Sequence, residues 1–528
     1  MKYIKYIGVF LSLLLICTFN VKASSKTTYV DLTNLKYSTN DSDYSSIKTY
    51  KSLEDFIKDY NDSNLPSIYI TNFLFDGVSS VVSPDLDDFI ESDSNDTKIK
   101  TLSIKVLNIN TLGDIELTGE FIGMVGVDTN NREGEINLIL NNVNINTDSK
   151  KAPAIYVYNK DINYTKCKVT IKTLANTTNY IEGGKLKKVS LIGSDELDKY
   201  GNYYNNESLT NYNKYTNYYG IYTSDEIDNI LFAKVEADRE DLTDGDPYYF
   251  YKASGALSSD IDLYFEGEGY LKVTSKNKEG IETKGNLEFV GGTGDYEVFS
   301  YDDALNTTTS SRNARNDITI NVNSLLAYVL EDADEGDAID SNGSLTINGG
   351  TIYAFAHPTS GDAGLDSNNG TIINGGVVIA TGNMMDGISS ESSQNYIYTN
   401  LNGKIDADTL VVIKDELDNI IAAFKANRTF KTILYSSPDL NTKTYKVYIG
   451  GTIDGEETNG LYTKINSYTN GEEASVSNTN NMVRNNSVNN NKNNTILYIL
   501  LSQIFLLVAF IIGVYLLYIK PKKINYNT

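Results

Sequence analysis

The stretch GDAIDSNGSLTINGGTIYAFAHPTSGDAGLDSNNGTIINGGVVIATG, Gly336–Gly382, writes one pattern twice. GDAIDSNG returns as GDAGLDSNNG, and LTINGGTIYA returns as TIINGGVVIA. Each copy is an acidic turn followed by a Gly-punctuated segment in which apolar and polar residues alternate, the pattern of a strand. On both sides of this stretch one apolar column aligns on Ile281, Leu305, Ile339, Leu365 and Ile388, at spacings of 24, 34, 26 and 23 residues. Gly or Ala precedes every member, which suits a sharp corner where a bulky Cβ would clash. A second column reads Phe265, Phe289, Ile320, Ile347 and Ile373. A period in the twenties with two or three short strands per repeat predicts an all-β chain, a right-handed parallel β-helix of the pectate-lyase-like solenoid kind. The longest spacing leaves SSRNARND, Ser310–Asp317, as an extruded loop. Helical periodicity is scarce, and its best instance is SLEDFIKDY, Ser52–Tyr60.

Stacked repeats place equivalent residues about 4.8 Å apart, the strand spacing. One position after the first column the residues are Glu282, Asn306, Asp340, Asp366 and Ser389. Two positions before it they are Glu279, Asp303, Asp337, Ala363 and Asp386, with Asp362 one step off. Two like charges about 5 Å apart repel by roughly 3 kcal/mol at an effective dielectric near 20. Such rows either splay into water or are neutralised, and outside a cell calcium is the natural neutraliser, a hard cation that takes carboxylate and carbonyl oxygens. Calcium is therefore the expected cofactor, with Asp302, Asp303, Asp337, Asp340, Asp362, Asp366 and Asp386 as candidate ligands and Glu331–Asp340 as the densest patch. The competing reading is turn chemistry, since Asp also caps corners through backbone N–H groups.

The two ends carry their own signals. Lys2 and Lys5, the apolar run Ile7–Ile16 and the small-residue site Val21-Lys22-Ala23 read as a secretion signal covering residues 1–23. Near the other end, Ile496–Ile519 is uncharged and followed by Lys520, Lys522 and Lys523, which predicts one C-terminal transmembrane helix with the bulk of the chain outside. The expected location is thus the cell membrane, single-pass, with an extracellular N-terminal domain. Asn-rich Asn478–Asn494 reads as a stalk. The division expected is 24–130 for an N-terminal region and first coils, 131–395 for the β-helix and 396–464 for a small β cap. A disordered stalk over 465–494, a membrane helix over 495–519 and a cytoplasmic tail over 520–528 would follow. With 45 Lys and Arg against 69 Asp and Glu, the net charge of −24 argues against nucleic acid as a partner. Beyond the signal there is one cysteine, Cys167, so no intrachain disulfide is expected.

Several motifs in order carry a family resemblance. They are VTIKTLANTTNYIEGG (Val169–Gly184), SSDIDLYFEGEGYLKVTSKNKEGIETKGNLEFVGG (Ser258–Gly292), the doubled stretch above, and YIYTNLNGKIDADTLVVIKDELDNIIAAF with TILYSSPDLNTKTYKVYIGGT (within Tyr396–Thr452). From about Asn144 to Ile453 the chain resembles a bacterial family of calcium-holding, parallel β-helix carbohydrate-binding domains known from cellulolytic clostridia. That resemblance implies binding of cellulose or acidic plant polysaccharides and a small β cap at the end of the coil. The chain departs from the family at Asn176-Thr177-Thr178-Asn179, and Lys185–Tyr251 is expanded and Tyr-rich.

A binder and an enzyme need different residues. Sugars present apolar faces on which aromatic rings pack. Trp is absent, so Tyr203, Tyr204, Tyr215, Tyr218 and Tyr219 of the Tyr/Asn-rich insertion are the candidate carbohydrate-binding residues. A biased composition alone would also place them there. For catalysis, Asn146-Thr147-Asp148 and Asp302-Asp303 imitate fragments of a glycosidase carboxylate set, but the single histidine, His357, precedes Pro358 in an apparent loop. Lys272, Lys278 and Lys284 lie near Glu279 and Glu282, as a calcium-dependent polysaccharide lyase would need, and as an ordinary solvated strand face also would. The expectation is a polysaccharide binder with no catalytic residues. The alternatives are a lyase and a non-catalytic surface spacer or adhesin.

Overall fold

The computed structural model describes residues 27–482, apart from 51–52, 72–89, 94–95, 100–104, 131, 148–152, 160–165, 186–188, 191–248, 251–254, 277, 309–314, 334, 360, 442–443 and 459. Strands dominate, and a nine-residue helix, Leu53–Asn61, buries Phe56 against Tyr50 and Tyr69.

The repeats pair as aligned. Ile281 stands beside Leu305 and Leu305 beside Ile339 in parallel register. Their short strands belong to a ten-stranded sheet that also holds Leu257–Ser259, Ile155–Tyr158 and Met124–Asp128. The second column is continuous through Phe265, Phe289, Ile320, Ile347 and Ile373. Every member of it is buried, because alternation sends each second side chain inward. The first column departs from expectation in the last repeat. There Met384 bridges to Ala363 and Ile388 to Thr371, so Ile388 does not extend the first column.

The expected right-handed, pectate-lyase-like parallel β-helix needs correction, because the remaining ladders close on themselves. Gly134–Asn146 pairs with Cys167–Thr173, which pairs with Leu263–Gly267, then Leu287–Phe289, then Ile318–Val329. Ile318–Val329 in turn pairs with Asp295–Ser300, then Tyr270–Lys276, then Thr178–Lys185, which returns to Gly134–Asn146. These eight strands make a closed parallel barrel, with further strands added to it. The physical reason lies in strand length. Gly134–Asn146 and Ile318–Val329 run through register shifts instead of ending at corners, so each serves two ladders. Asn142, with φ 55°, makes the kink in the first of them. The sequence shows only short alternating runs on either side of such a bulge, which read as separate strands.

The chain then turns antiparallel. Val377–Gly382 and Tyr396–Ile405 both pair with Phe430–Ser436. Val476–Met482, inside the range read as stalk, pairs with Tyr396–Ile405. A six-stranded sheet follows, containing Leu410–Asp415, Ile420–Lys425, Tyr445–Ile449 and Leu461–Thr469. Its Val411, Ile413 and Phe424 pack with Tyr328, Tyr353 and Phe355 on the outward face of the barrel strands. Those three outward aromatics are thereby buried.

The expectation of a single-pass membrane protein is also corrected. Among the described residues no helix is long and apolar enough to cross a membrane. The run on which that expectation rested, Ile496–Ile519, lies outside the described residues, as does the signal segment 1–23.

Candidate functional site

The corner strands of the ten-stranded sheet carry the acidic rows. Strand pairing sets Glu282 beside Asn306, Asn306 beside Asp340 and Asp340 beside Asp366. The second row is built by corner hydrogen bonds: Gly280 N–H donates to the Asp303 carbonyl, Ala304 N–H to that of Asp337, and Ala338 N–H to that of Ala363. Small residues at these three positions let neighbouring backbones approach. A Cβ on Gly280 would meet the Ala304 carbonyl oxygen at 2.6 Å, so the corner has no room for one.

Backbone amides satisfy much of the row. Asp337 N–H donates to Asp303 Oδ1 at 2.8 Å, Ala363 N–H donates to Asp337 Oδ1, and Ser367 N–H donates to Asp366 Oδ1 at 2.8 Å. Asn306 Nδ2 bridges the two rows, donating to Asp303 Oδ2 and, at 3.3 Å, to Asp340 Oδ2. Its Oδ1 is buried without a hydrogen-bond partner. Asp302 forms an ion pair with Lys278. Asp362 accepts from the Thr359 hydroxyl, and His357 Nδ1 stands 3.5 Å from its Oδ2. Asp386 lies at the end of the row, where its Oδ2 accepts from the Ser367 hydroxyl at 3.5 Å.

Burial and mutual repulsion raise the proton affinity of this set. Asp303 is 9% exposed; burial first, then the charges of Asp302, Asp337, Asp340 and Glu279, hold its carboxyl well above the usual range. Burial is also the main cause for Asp337, pushed up to about 8, with Asp366, Asp340 and Asp362 adding to it and the Ala363 amide opposing. Asp340 is pushed up to about 7 by burial and by Asp366 and Asp302. Asp366 is raised by burial and by Asp386. Chemically, the row holds protons near neutral pH or attracts a hard cation.

The structure thus brings Asp303, Asp337, Asp340 and Asp366 together, with Asp302 and Asp386 at their margins. Asp362 interacts mainly with its own loop. Among the described residues no three His, Cys, Asp or Glu side chains converge as a ready cation cage. The five candidate tyrosines, Tyr203, Tyr204, Tyr215, Tyr218 and Tyr219, lie outside the described residues, and so does Asp148. Asn306 stands in the acidic column of the sequence with no role expected of it. The sign was present, since it is the one amide in a row otherwise carboxylate from Glu282 to Asp366. His357, expected in an apparent loop, is 9% exposed and faces Asp362.

Comparison with known proteins gives three findings. A family model described as "Carbohydrate-binding domain-containing protein" matches residues 221–493, a span that contains the whole acidic row. No curated protein matches the chain. Among solved structures, a polysaccharide lyase-like protein from C. thermocellum, studied as a gadolinium derivative, is similar at 14% identity over 54% of this chain and 87% of its own. Its TM-score is 0.28, which carries no argument about fold or activity.

Proposed function

The chain belongs to the carbohydrate-binding domain-containing family, and from that premise we propose that it binds polysaccharide without cleaving it. The observation that carries the reading is the family match, which covers the repeats, the acidic row and the antiparallel sheet together. The test is a glycan array probed with the full chain, paired with incubation on polygalacturonate. Retention on one or more plant polysaccharides is expected, with no rise in ultraviolet absorbance from unsaturated product. A rise in that absorbance would make the chain a lyase, and retention by no glycan would leave a spacer or adhesin.

Calcium is proposed as a stiffener of the acidic corners. The donors fit in kind: hard carboxylate oxygens from Asp303, Asp337 and Asp340, and a buried, unpartnered amide oxygen on Asn306. They are not gathered as a cage, so these side chains would have to turn to hold the ion. Calcium supplies positive charge between carboxylates that otherwise repel. An ion that binds the folded state alone stabilises it by about 2.7 kcal/mol at a hundred times its Kd. The melting temperature is therefore expected to rise by several degrees when millimolar calcium replaces chelator, whereas equal melting in both would remove calcium from the account.

A further inference from the structure

The outward face of the barrel strands is two faces in one. Its rows run across the strands, and one of them reads Glu120, Asn144, Tyr180, Lys272, Glu297, Leu326 and Tyr353 in strict register. Exposure falls along that row. Glu120, Asn144 and Tyr180 are exposed, Lys272, Glu297 and Leu326 are half-buried, and Tyr353 is buried beneath the antiparallel sheet. The covered end is apolar. The uncovered end combines rings with hydrogen-bonding groups.

Tyr180 is 46% exposed and its ring centre lies 6.4 Å from that of Tyr270. The Tyr270 hydroxyl donates to Glu297 Oε2 at 2.7 Å, which fixes ring and carboxylate relative to each other. Lys272 Nζ sits 4.3 Å from the centre of the Phe299 ring, held at the surface. Glu182 is two residues beyond Tyr180 on the same side of the strand.

We propose that this bare half of the face, centred on Tyr180, Tyr270 and Lys272, is the seat of a linear, uncharged polysaccharide lying across the strands. The inference rests on the reading that the chain binds polysaccharide and names the surface and the ligand class. A pyranose has an apolar face for a tyrosine ring and a rim of hydroxyls for carboxylates, amides and ammonium groups. Equivalent side chains recur every ~4.8 Å across a sheet, close to the length of one sugar unit in an extended chain. Among the described side chains of the patch, the carboxylates of Glu182 and Glu297 outnumber the ammonium of Lys272, which disfavours an acidic glycan. The same rows are apolar where protein covers them and amphipathic where it does not, as a sugar-binding surface requires.

The experiment is affinity electrophoresis of the full chain through gels containing hydroxyethyl cellulose, uncharged, or polygalacturonate, acidic. The wild type is expected to be retarded by hydroxyethyl cellulose. Tyr180→Ala is expected to weaken that binding at least fivefold, and Tyr180→Phe to retain it, with both melting like the wild type. If Tyr180→Ala melts early, Lys272→Ala takes its place, with at least a twofold loss expected. Equal retardation of wild type and variants would overturn the surface while leaving polysaccharide binding intact. Retardation by polygalacturonate alone would overturn the uncharged class. Binding to neither gel, with a silent glycan array, would remove the underlying reading as well.

Discussion

Phe289→Ala is expected to cost the fold about 3–5 kcal/mol, the usual loss for emptying a buried aromatic site. Phe289 is fully buried between Phe265 and Ile320 in the inward column. Its ring stacks on Phe265 at 4.7 Å, and Tyr296 meets its edge at 5.0 Å. The neighbours cannot close the gap, because each is pinned by its own parallel ladder. The aromatic contacts add about 0.5–1.5 kcal/mol to the area lost. Phe289→Leu leaves a smaller void and a smaller loss. Urea unfolding reads both as a lower midpoint at unchanged slope. A Phe289→Ala unfolding free energy within about 1 kcal/mol of the wild type, an ordinary loss for a point substitution, would place the ring outside the packed interior.

Stability in chelator is expected to fall as pH rises from about 4 to about 8, and Asp340→Asn to remove part of that fall. In the unfolded chain an aspartate releases its proton near pH 3.9. In the fold Asp340 holds its proton to about 7 and Asp337 to about 8, with burial the leading cause of both. Asp303 and Asp366 are shifted in the same direction. Between those limits the folded state binds more protons than the unfolded state, so each step up in pH favours unfolding. The contribution is fully present below the unfolded value and is lost as pH passes 7 and then 8. Asp340→Asn keeps the shape and still accepts from Asn306, but it removes the charge facing Asp366. Coulombic relief of this kind is worth about 1–3 kcal/mol at pH 8 and almost nothing at pH 5, given roughly 3 kcal/mol for such a pair at an effective dielectric near 20. Melting curves of both proteins across that pH range check the sign. A flat wild-type profile, or an Asp340→Asn variant that melts lower at pH 8, contradicts a buried, repelling row.

The columns of the repeat were legible because they are local and periodic. Phe265, Phe289, Ile320, Ile347 and Ile373 recur at positions that alternation alone sends inward, and the pairing found is the pairing read. The acidic corners were legible for the same reason, since a residue one step from an inward column must share a row with its counterparts. The closed barrel was not. Whether two alternating runs are separate strands or one strand with a bulge depends on the backbone at a residue such as Asn142, and its side chain suits either case.

What the order of residues decided, then, is the inward and outward sense of each repeat and the vertical company its aspartates keep, because both follow from a two-residue period and a nearly constant repeat length. Closure of the ladders, the burial that lifts the proton affinity of Asp337 and Asp340, and the contrast between a covered Tyr353 and a bare Tyr180 came only with the folded chain. Each depends on segments distant in sequence: Phe355 and Phe424 share one core cluster at the covered end of the face whose other end, at Tyr180, stays open. No local period encodes where a remote sheet comes to rest.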